Sequence, residues 1–162
     1  MSATSLFNRI LHRFPRKKAI GSACVAGPVD VCVIDAARSD CDLMRLIFET
    51  RGWCCAVSHD GRAGLDLIRA RRPRLVLLDV PLPHRNGYEL IQAIRADPEL
   101  AATKILLLTA LTKAIPDPAR DWAALAGADA YLPKPIDAAA LLEKARVLLT
   151  TEDSDRPHLL SQ

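Results

Sequence analysis

The sequence lacks an uninterrupted apolar run of about 18 residues, the length that a membrane-spanning helix needs, so no transmembrane helix is expected. It also lacks any C-x-x-C pair, and its five cysteines stand at no metal-ligand spacing from the four histidines. Cys32, Cys54 and Cys55 lie in apolar runs, where we expect buried and unreactive thiols. Because half of the residues are apolar and a quarter are charged, the composition indicates a globular rather than a disordered chain. We expect a cytoplasmic protein.

Positive charge is concentrated at the amino-terminal end. Five basic residues and no acidic residue precede Asp30, whereas residues 29–162 carry 17 basic and 19 acidic residues. A slightly acidic body argues against nucleic-acid binding as the main task. We interpret residues 1–29 as a basic extension and linker. This extension either contacts an anionic membrane surface or a partner protein, or it has no role. Short basic runs are common by chance, so the second alternative is favoured.

Apolar strands and amphipathic helices alternate from residue 30 to residue 150. Strands are predicted at 31–35, 53–58, 75–79, 105–109 and 130–132, and helices at 39–51, 60–72, 88–96, 120–126 and 137–148. Residues 151–162 are polar and are predicted to form a loose tail. The alternation is typical of a parallel sheet with helices on both faces, and five strands favour the flavodoxin-like doubly wound order 2-1-3-4-5.

Polar side chains follow several of these strands at their carboxyl ends. Asp35 ends the first strand, Asp79 the third and Thr109 the fourth, and Lys134 follows the fifth. In the expected order the first and third strands are neighbours, and ligands bind outside the carboxyl ends of the strands at that point. We therefore expect two carboxylates, a hydroxyl and an ammonium in one crevice.

The chemistry of this set favours a phosphoryl group as the ligand. The sequence Ala36-Ala37-Arg38 after the first strand contains no glycine-rich phosphate loop, which excludes a dinucleotide or P-loop site. Two neighbouring carboxylates favour a cation between them, and Mg²⁺ takes one or two carboxylates together with phosphate oxygens. An aspartate can also accept a phosphoryl group covalently, while lysine and threonine neutralise the other oxygens.

Residues 30–150 resemble the receiver domain of two-component response regulators. The matching segments occur in the family's order and at its spacings, and their combination is far more specific than any one of them. They are Val33-Ile34-Asp35, Leu77-Leu78-Asp79 followed by Pro83 and Gly87, Leu107-Leu108-Thr109-Ala110, and the stretch from Gly127 to Pro135.

The resemblance implies a role for each matching polar residue. Asp79 resembles the phosphoacceptor, Thr109 the switch hydroxyl, and Lys134 the phosphate-binding lysine that precedes a cis bond to Pro135. Tyr131 resembles the aromatic residue that turns inward on activation, although a half-buried core aromatic is an equal alternative.

The same resemblance implies a Mg²⁺ site. Asp35, Asp79 and the backbone carbonyl of Pro81 resemble the metal ligands, but Ala36 stands where the family usually has a second acid that binds the metal directly. We therefore expect weak Mg²⁺ binding. The alternative for Asp35 is a structural acid that bonds Lys134.

Two further acids, Asp40 and Asp42, follow soon after Ala36 in the sequence. Helical geometry is expected to direct both of them away from the site, so we do not expect either to compensate for the missing acid.

The favoured function is phosphorelay signalling by a single-domain response regulator. It would take a phosphoryl group onto Asp79 from a histidine kinase or phosphotransferase, catalyse its own phosphorylation, and show no separate enzymatic activity. A downstream protein would bind the last two helices and the last strand. The alternative is an interaction module of the same fold that works without phosphorylation. An aspartate-dependent phosphohydrolase ranks last, because Pro81 occupies the place of its usual second acid.

Overall fold

The structure, a computed structural model, describes residues 28–110 and 127–150. Within these ranges strands and helices alternate as expected up to the fourth strand. The strands are β1 (Val31–Ile34), β2 (Cys55–Ser58), β3 (Leu75–Asp79), β4 (Lys104–Thr109) and β5 (Ala130–Pro133), and the helices are α1 (Arg38–Glu49), α2 (Gly61–Arg71), α3 (Gly87–Ala96) and α4 (Ala138–Thr150). The predicted helix at 120–126, the extension up to residue 27 and the tail from residue 151 lie outside the described residues.

The five strands form one parallel sheet in the order β2-β1-β3-β4-β5. This order confirms the flavodoxin-like doubly wound prediction. β1 lies between β2 and β3, with Ile34 opposite Ser58 on one side and Leu78 on the other. The residues that follow β1 and end β3 are therefore neighbours at the carboxyl edge of the sheet.

Each central strand is apolar on both faces because helices cover both sides of the sheet. Successive side chains of a strand point to opposite faces. Val31 and Val33 of β1 accordingly pack into the cluster that contains the buried residues of α1 and α4. Cys32 and Ile34 pack into the second cluster, together with the buried residues of α2 and α3.

Side-chain caps fix the start of three helices, and at α3 the cap is Asn86, whose Oδ1 accepts from Glu89 N at 3.0 Å. Asp60 Oδ1 accepts hydrogen bonds from the backbone N–H groups of Arg62 and Ala63 at 2.7 and 2.9 Å, which confirms Asp60 as the cap of α2. Asp137 Oδ1 accepts from Ala140 N at 2.7 Å at the start of α4. No side chain caps α1, which begins shortly after the carboxyl edge of the sheet.

Two glycines allow the loop after β3 to pack closely against its surroundings. A Cβ on Gly61 would lie 1.9 Å from the carbonyl oxygen of Arg85, and one on Gly87 would lie 2.5 Å from the carbonyl oxygen of Asp79. The Gly61 N–H donates to Pro83 O at 3.1 Å. This loop is therefore held against the first residues of α2 and α3, which fixes the backbone around Asp79.

The cysteines confirm the predictions in part. Burial raises the pKa of the Cys32 thiol to about 12 and also raises the pKa of Cys55, so both are unreactive as expected. Cys54 is disulfide-bonded, and the prediction of an inert thiol is wrong there. Cys54 precedes β2 and is only half-buried, so the apolar run did not place it in the core.

Across residues 28–110 and 127–150, no helix combines the length and the apolar character that a bilayer crossing requires.

Candidate active site

Asp35 and Asp79 lie side by side at the carboxyl edge of the sheet, as the strand order predicted. The Asp35 side chain is fully buried and that of Asp79 is 9% exposed. One oxygen of each carboxylate accepts a local backbone N–H: Asp35 Oδ1 from Ala37 at 2.8 Å and Asp79 Oδ1 from Val80 at 2.8 Å. The second oxygen of each, Oδ2, contacts the side chain of Lys134.

Lys134 joins these two carboxylates. Its Nζ lies 2.7 Å from Asp35 Oδ2 and 3.1 Å from Asp79 Oδ2. The lysine follows β5 directly, and its peptide bond to Pro135 is cis, as the resemblance implied. The prediction that the side chains of Asp35, Asp79 and Lys134 lie together is therefore confirmed.

A third carboxylate, that of Asp40, contacts the same ammonium. Asp40 Oδ2 lies 2.9 Å from Lys134 Nζ, so the prediction that Asp40 points away from the site is wrong. The reason is the position of α1, which begins at Arg38 and therefore places Asp40 in its first turn, close to the edge where β1 ends. The signal that could have found it is an acid in the first turn of the helix that follows β1.

Asp42, by contrast, behaves as predicted. Its carboxylate contacts Arg45 Nη2 at 3.3 Å on the exposed side of α1. The two acids lie only two residues apart, but this separation places them on different faces of the helix.

The electrostatics of the site follow from crowding three carboxylates around one ammonium. Burial raises the pKa of Asp79, and its bond with Lys134 opposes that rise while the neighbouring Asp35 charge adds to it. Burial alone would lower the pKa of Lys134, but its bonds with Asp35, Asp40 and Asp79 raise it above the ordinary value. The lysine is therefore charged at neutral pH, and the four groups carry a net formal charge of −2.

The other predicted residues are placed less completely. The backbone of Thr109 ends β4 opposite Pro133, and its side chain lies outside the described part. Pro81 is exposed two residues after Asp79. Tyr131 lies in β5, half-buried against the cluster on the α2 and α3 side, with Lys144 Nζ 5.7 Å from its ring centroid.

The donor set at the edge of the sheet fits Mg²⁺. In the described residues, no three His, Cys, Asp or Glu side chains are grouped so that all could hold one metal ion. Mg²⁺ does not need such a group, because it is usually held by one or two carboxylates with waters and phosphate oxygens. Asp35 and Asp79 already share one cation, the Lys134 ammonium, so their oxygens are placed for this role.

A family model described as the response regulator receiver domain matches residues 31–146. The chain belongs to this family. Receiver domains act in phosphorelay signalling and generally bind Mg²⁺ in their active site.

The receiver is also similar to curated response regulators. It is 37% identical over 129 residues to "Response regulator MprA" of Mycolicibacterium vanbaalenii, which covers 78% of this chain and 53% of the relative. It is 32% identical over 131 residues to "DNA-binding response regulator MtrA" of Mycobacterium tuberculosis, covering 81% of this chain and 55% of the relative. The receiver thus spans about half the length of these relatives.

Solved structures of receiver domains share its fold. A putative response regulator from Chloroflexus aurantiacus superposes with a TM-score of 0.69 at 26% identity, over 76% of this chain and 98% of that one. The receiver domain of sensor histidine kinase PA1611 from Pseudomonas aeruginosa, solved with a magnesium ion in its active-site cleft, gives a TM-score of 0.67 at 21% identity, over 76% and 98% of the two chains.

Proposed function

We propose that Asp79 accepts a phosphoryl group from a phosphohistidine of a histidine kinase or phosphotransferase. An Asp79 carboxylate oxygen would form the new bond to phosphorus, the P–N bond of the donor would break, and the imidazole nitrogen would take up a proton from solvent. The observation that carries this proposal is the contact of Asp79 with Lys134, whose ammonium also contacts the buried carboxylate of Asp35.

Lys134 is the residue proposed to stabilise the transferring group. Its ammonium already bonds the carboxylate that would be phosphorylated, so a small movement would bring it to a phosphoryl oxygen. Thr109 is proposed as the hydroxyl that contacts the phosphoryl group once it is formed, and Tyr131 as the aromatic residue that responds.

Mg²⁺ is proposed to bind Asp35, Asp79 and the backbone carbonyl of Pro81. When bound, it would neutralise charge on the phosphoryl oxygens. Because Ala36 supplies no carboxylate, binding is expected to be weaker than at a site with two acids in a row.

The proposed output is contact with another protein through the last strand, β5, and the last two helices, α4 and the helix predicted at 120–126. The slightly acidic body supports a protein rather than a nucleic acid as the partner. We further propose that residues 30–150 are the receiver, flanked by a basic extension at 1–29 and a polar tail at 151–162, and that the protein acts in the cytoplasm.

Intact mass after incubation with acetyl phosphate tests this function. The wild-type chain is expected to gain one phosphoryl group in the presence of Mg²⁺, and Asp79→Ala is expected to gain none. Asp66→Ala, which removes an exposed carboxylate from α2, serves as the matched control and should be phosphorylated like the wild type. No gain in the wild type at any Mg²⁺ concentration would overturn the proposal.

That negative result would favour the second candidate, an interaction module that works without phosphorylation. The observation behind it is Ala36, whose methyl group cannot bind a metal. Titration with Mg²⁺ separates the two functions further, because a chain whose Trp fluorescence and melting temperature do not respond to Mg²⁺ has no working metal site.

A further inference from the structure

We propose that Asp40 is a positioning residue that takes over the electrostatic role of the acid missing at position 36. It would act through Lys134 rather than by binding the metal itself. The inference rests on the proposed Mg²⁺ site of Asp35 and Asp79 and names the residue that makes that site workable.

The geometry supports an indirect role. An ammonium group has three N–H donors, and Lys134 Nζ has three carboxylate neighbours: Asp35 at 2.7 Å, Asp40 at 2.9 Å and Asp79 at 3.1 Å. Asp40 thus accepts from one N–H group of the Lys134 ammonium. Without Asp40, that N–H would be available to bond the two carboxylates proposed to hold Mg²⁺. In the described ranges no three His, Cys, Asp or Glu side chains are grouped so that all could hold one metal ion, which favours an indirect role of Asp40 over a direct bond to Mg²⁺.

The charge of the site supports the same role. A site with two acids after β1, the phosphoacceptor and the lysine carries a net charge of −2. Replacing the second acid by alanine would reduce this to −1, and the Asp40 carboxylate returns it to −2 in this chain. A divalent cation is attracted by this net charge, so Asp40 offsets the loss at position 36 without occupying that position.

A purely structural role for Asp40 makes different predictions. An acid in the first turn of a helix stabilises the helix through its dipole, and that effect would not depend on Mg²⁺ or on position 36. Asp42 provides a matched comparison, because it lies on the same helix and its carboxylate contacts Arg45 instead of Lys134.

The experiment measures the Mg²⁺ dissociation constant by isothermal titration calorimetry, without any phosphodonor. We compare the wild type with Asp40→Asn, Asp42→Asn and the double variant Ala36→Asp with Asp40→Asn. Asp40→Asn is expected to weaken Mg²⁺ binding by about tenfold, the lower range of effects seen for residues that orient metal ligands. Asp42→Asn is expected to remain within about twofold of the wild type, since its exposed ion pair contributes little.

The double variant is the decisive arm. Ala36 is exposed, so a carboxylate fits there without disturbing the core, and Ala36→Asp should restore Mg²⁺ affinity to at least the wild-type level although Asp40 is absent. Equal Mg²⁺ affinity in the wild type and Asp40→Asn, no rescue by Ala36→Asp, or no Mg²⁺ binding by the wild type would each overturn the inference. Failure of Asp79 phosphorylation with these affinities as expected would instead overturn the proposed function alone.

Discussion

Arg95 and Asp129 connect the end of α3 to the start of β5. Arg95 Nη2 donates to Asp129 Oδ2 at 2.7 Å, and the same oxygen accepts the backbone N–H of Ile105 at 2.7 Å. The guanidinium also donates to three backbone carbonyls, those of Ala101, Thr103 and Gly127, at 2.7 to 2.9 Å. One side chain therefore links the residues that precede β4 to those that precede β5.

Replacing Arg95 should lower the stability of the whole domain. Arg95→Lys keeps the charge but removes the planar fork that reaches several acceptors at once, so we expect the free energy of unfolding to fall by about 1–3 kcal/mol. Urea denaturation measures the change. Arg69→Lys is the control, because Arg69 is half-exposed and its ion pair with Asp97 has a separation of 3.5 Å, and it should change stability by less than about 0.5 kcal/mol. Equal losses in the two variants would contradict this role of Arg95.

The sheet could be predicted from the sequence because its central strands are almost wholly apolar. Leu75 to Asp79 and the run up to Thr109 are apolar at every position but the last, which is typical of strands covered on both faces. Helix bounds were accurate where a cap is local in sequence, as with Asp60 and the backbone that it bonds.

The site was harder to predict because its contacts depend on helix position rather than on strand order. The strand order alone brought Asp35, Asp79 and Lys134 together. Asp40 required knowledge that α1 begins at Arg38 and lies over the same edge, since a shift of one residue rotates a helical side chain by about 100°. Cys54 shows the same limit, because an apolar run does not specify which of its residues is buried.

Replacing Asp79 should stabilise the protein at neutral pH. Burial raises the pKa of Asp79 above the ordinary value of 3.8, so its ionisation opposes folding. When the pKa of a carboxyl group is raised on folding, its contribution to the free energy of unfolding is fully present below the ordinary pKa. That contribution is lost as the pH rises through the raised pKa of the folded state. Asp79→Asn keeps the shape and remains neutral, so we expect a higher melting temperature at pH 7 and a gain that shrinks as the pH falls toward 3.8.

Melting curves across this pH range check the sign of the effect. Asp66→Asn, at an exposed position of α2, is the control and should leave the melting temperature at pH 7 close to that of the wild type. A melting temperature for Asp79→Asn that is equal to or below that of the wild type at pH 7 would show that the bond with Lys134 outweighs the cost of burying the charge.

Replacing Lys134 should make the stability of the protein depend strongly on Mg²⁺. Lys134→Met removes the ammonium and leaves three facing carboxylates, of which Asp35 is fully buried. Breaking a buried ion pair in this way costs about 3–5 kcal/mol, so in the presence of a chelator we expect a loss of about 3 kcal/mol in the free energy of unfolding.

Added Mg²⁺ should recover part of that loss, because a divalent cation can take the place that the ammonium leaves between Asp35 and Asp79. The rise in melting temperature on adding Mg²⁺ should therefore be larger for Lys134→Met than for the wild type. Lys104→Met is the control, since Lys104 is the first residue of β4 and lies at the amino ends of the strands, away from the site at their carboxyl ends. If Mg²⁺ stabilises Lys134→Met no more than the wild type, the carboxylates are not placed to share a cation, and the metal site proposed for Asp35 and Asp79 is wrong.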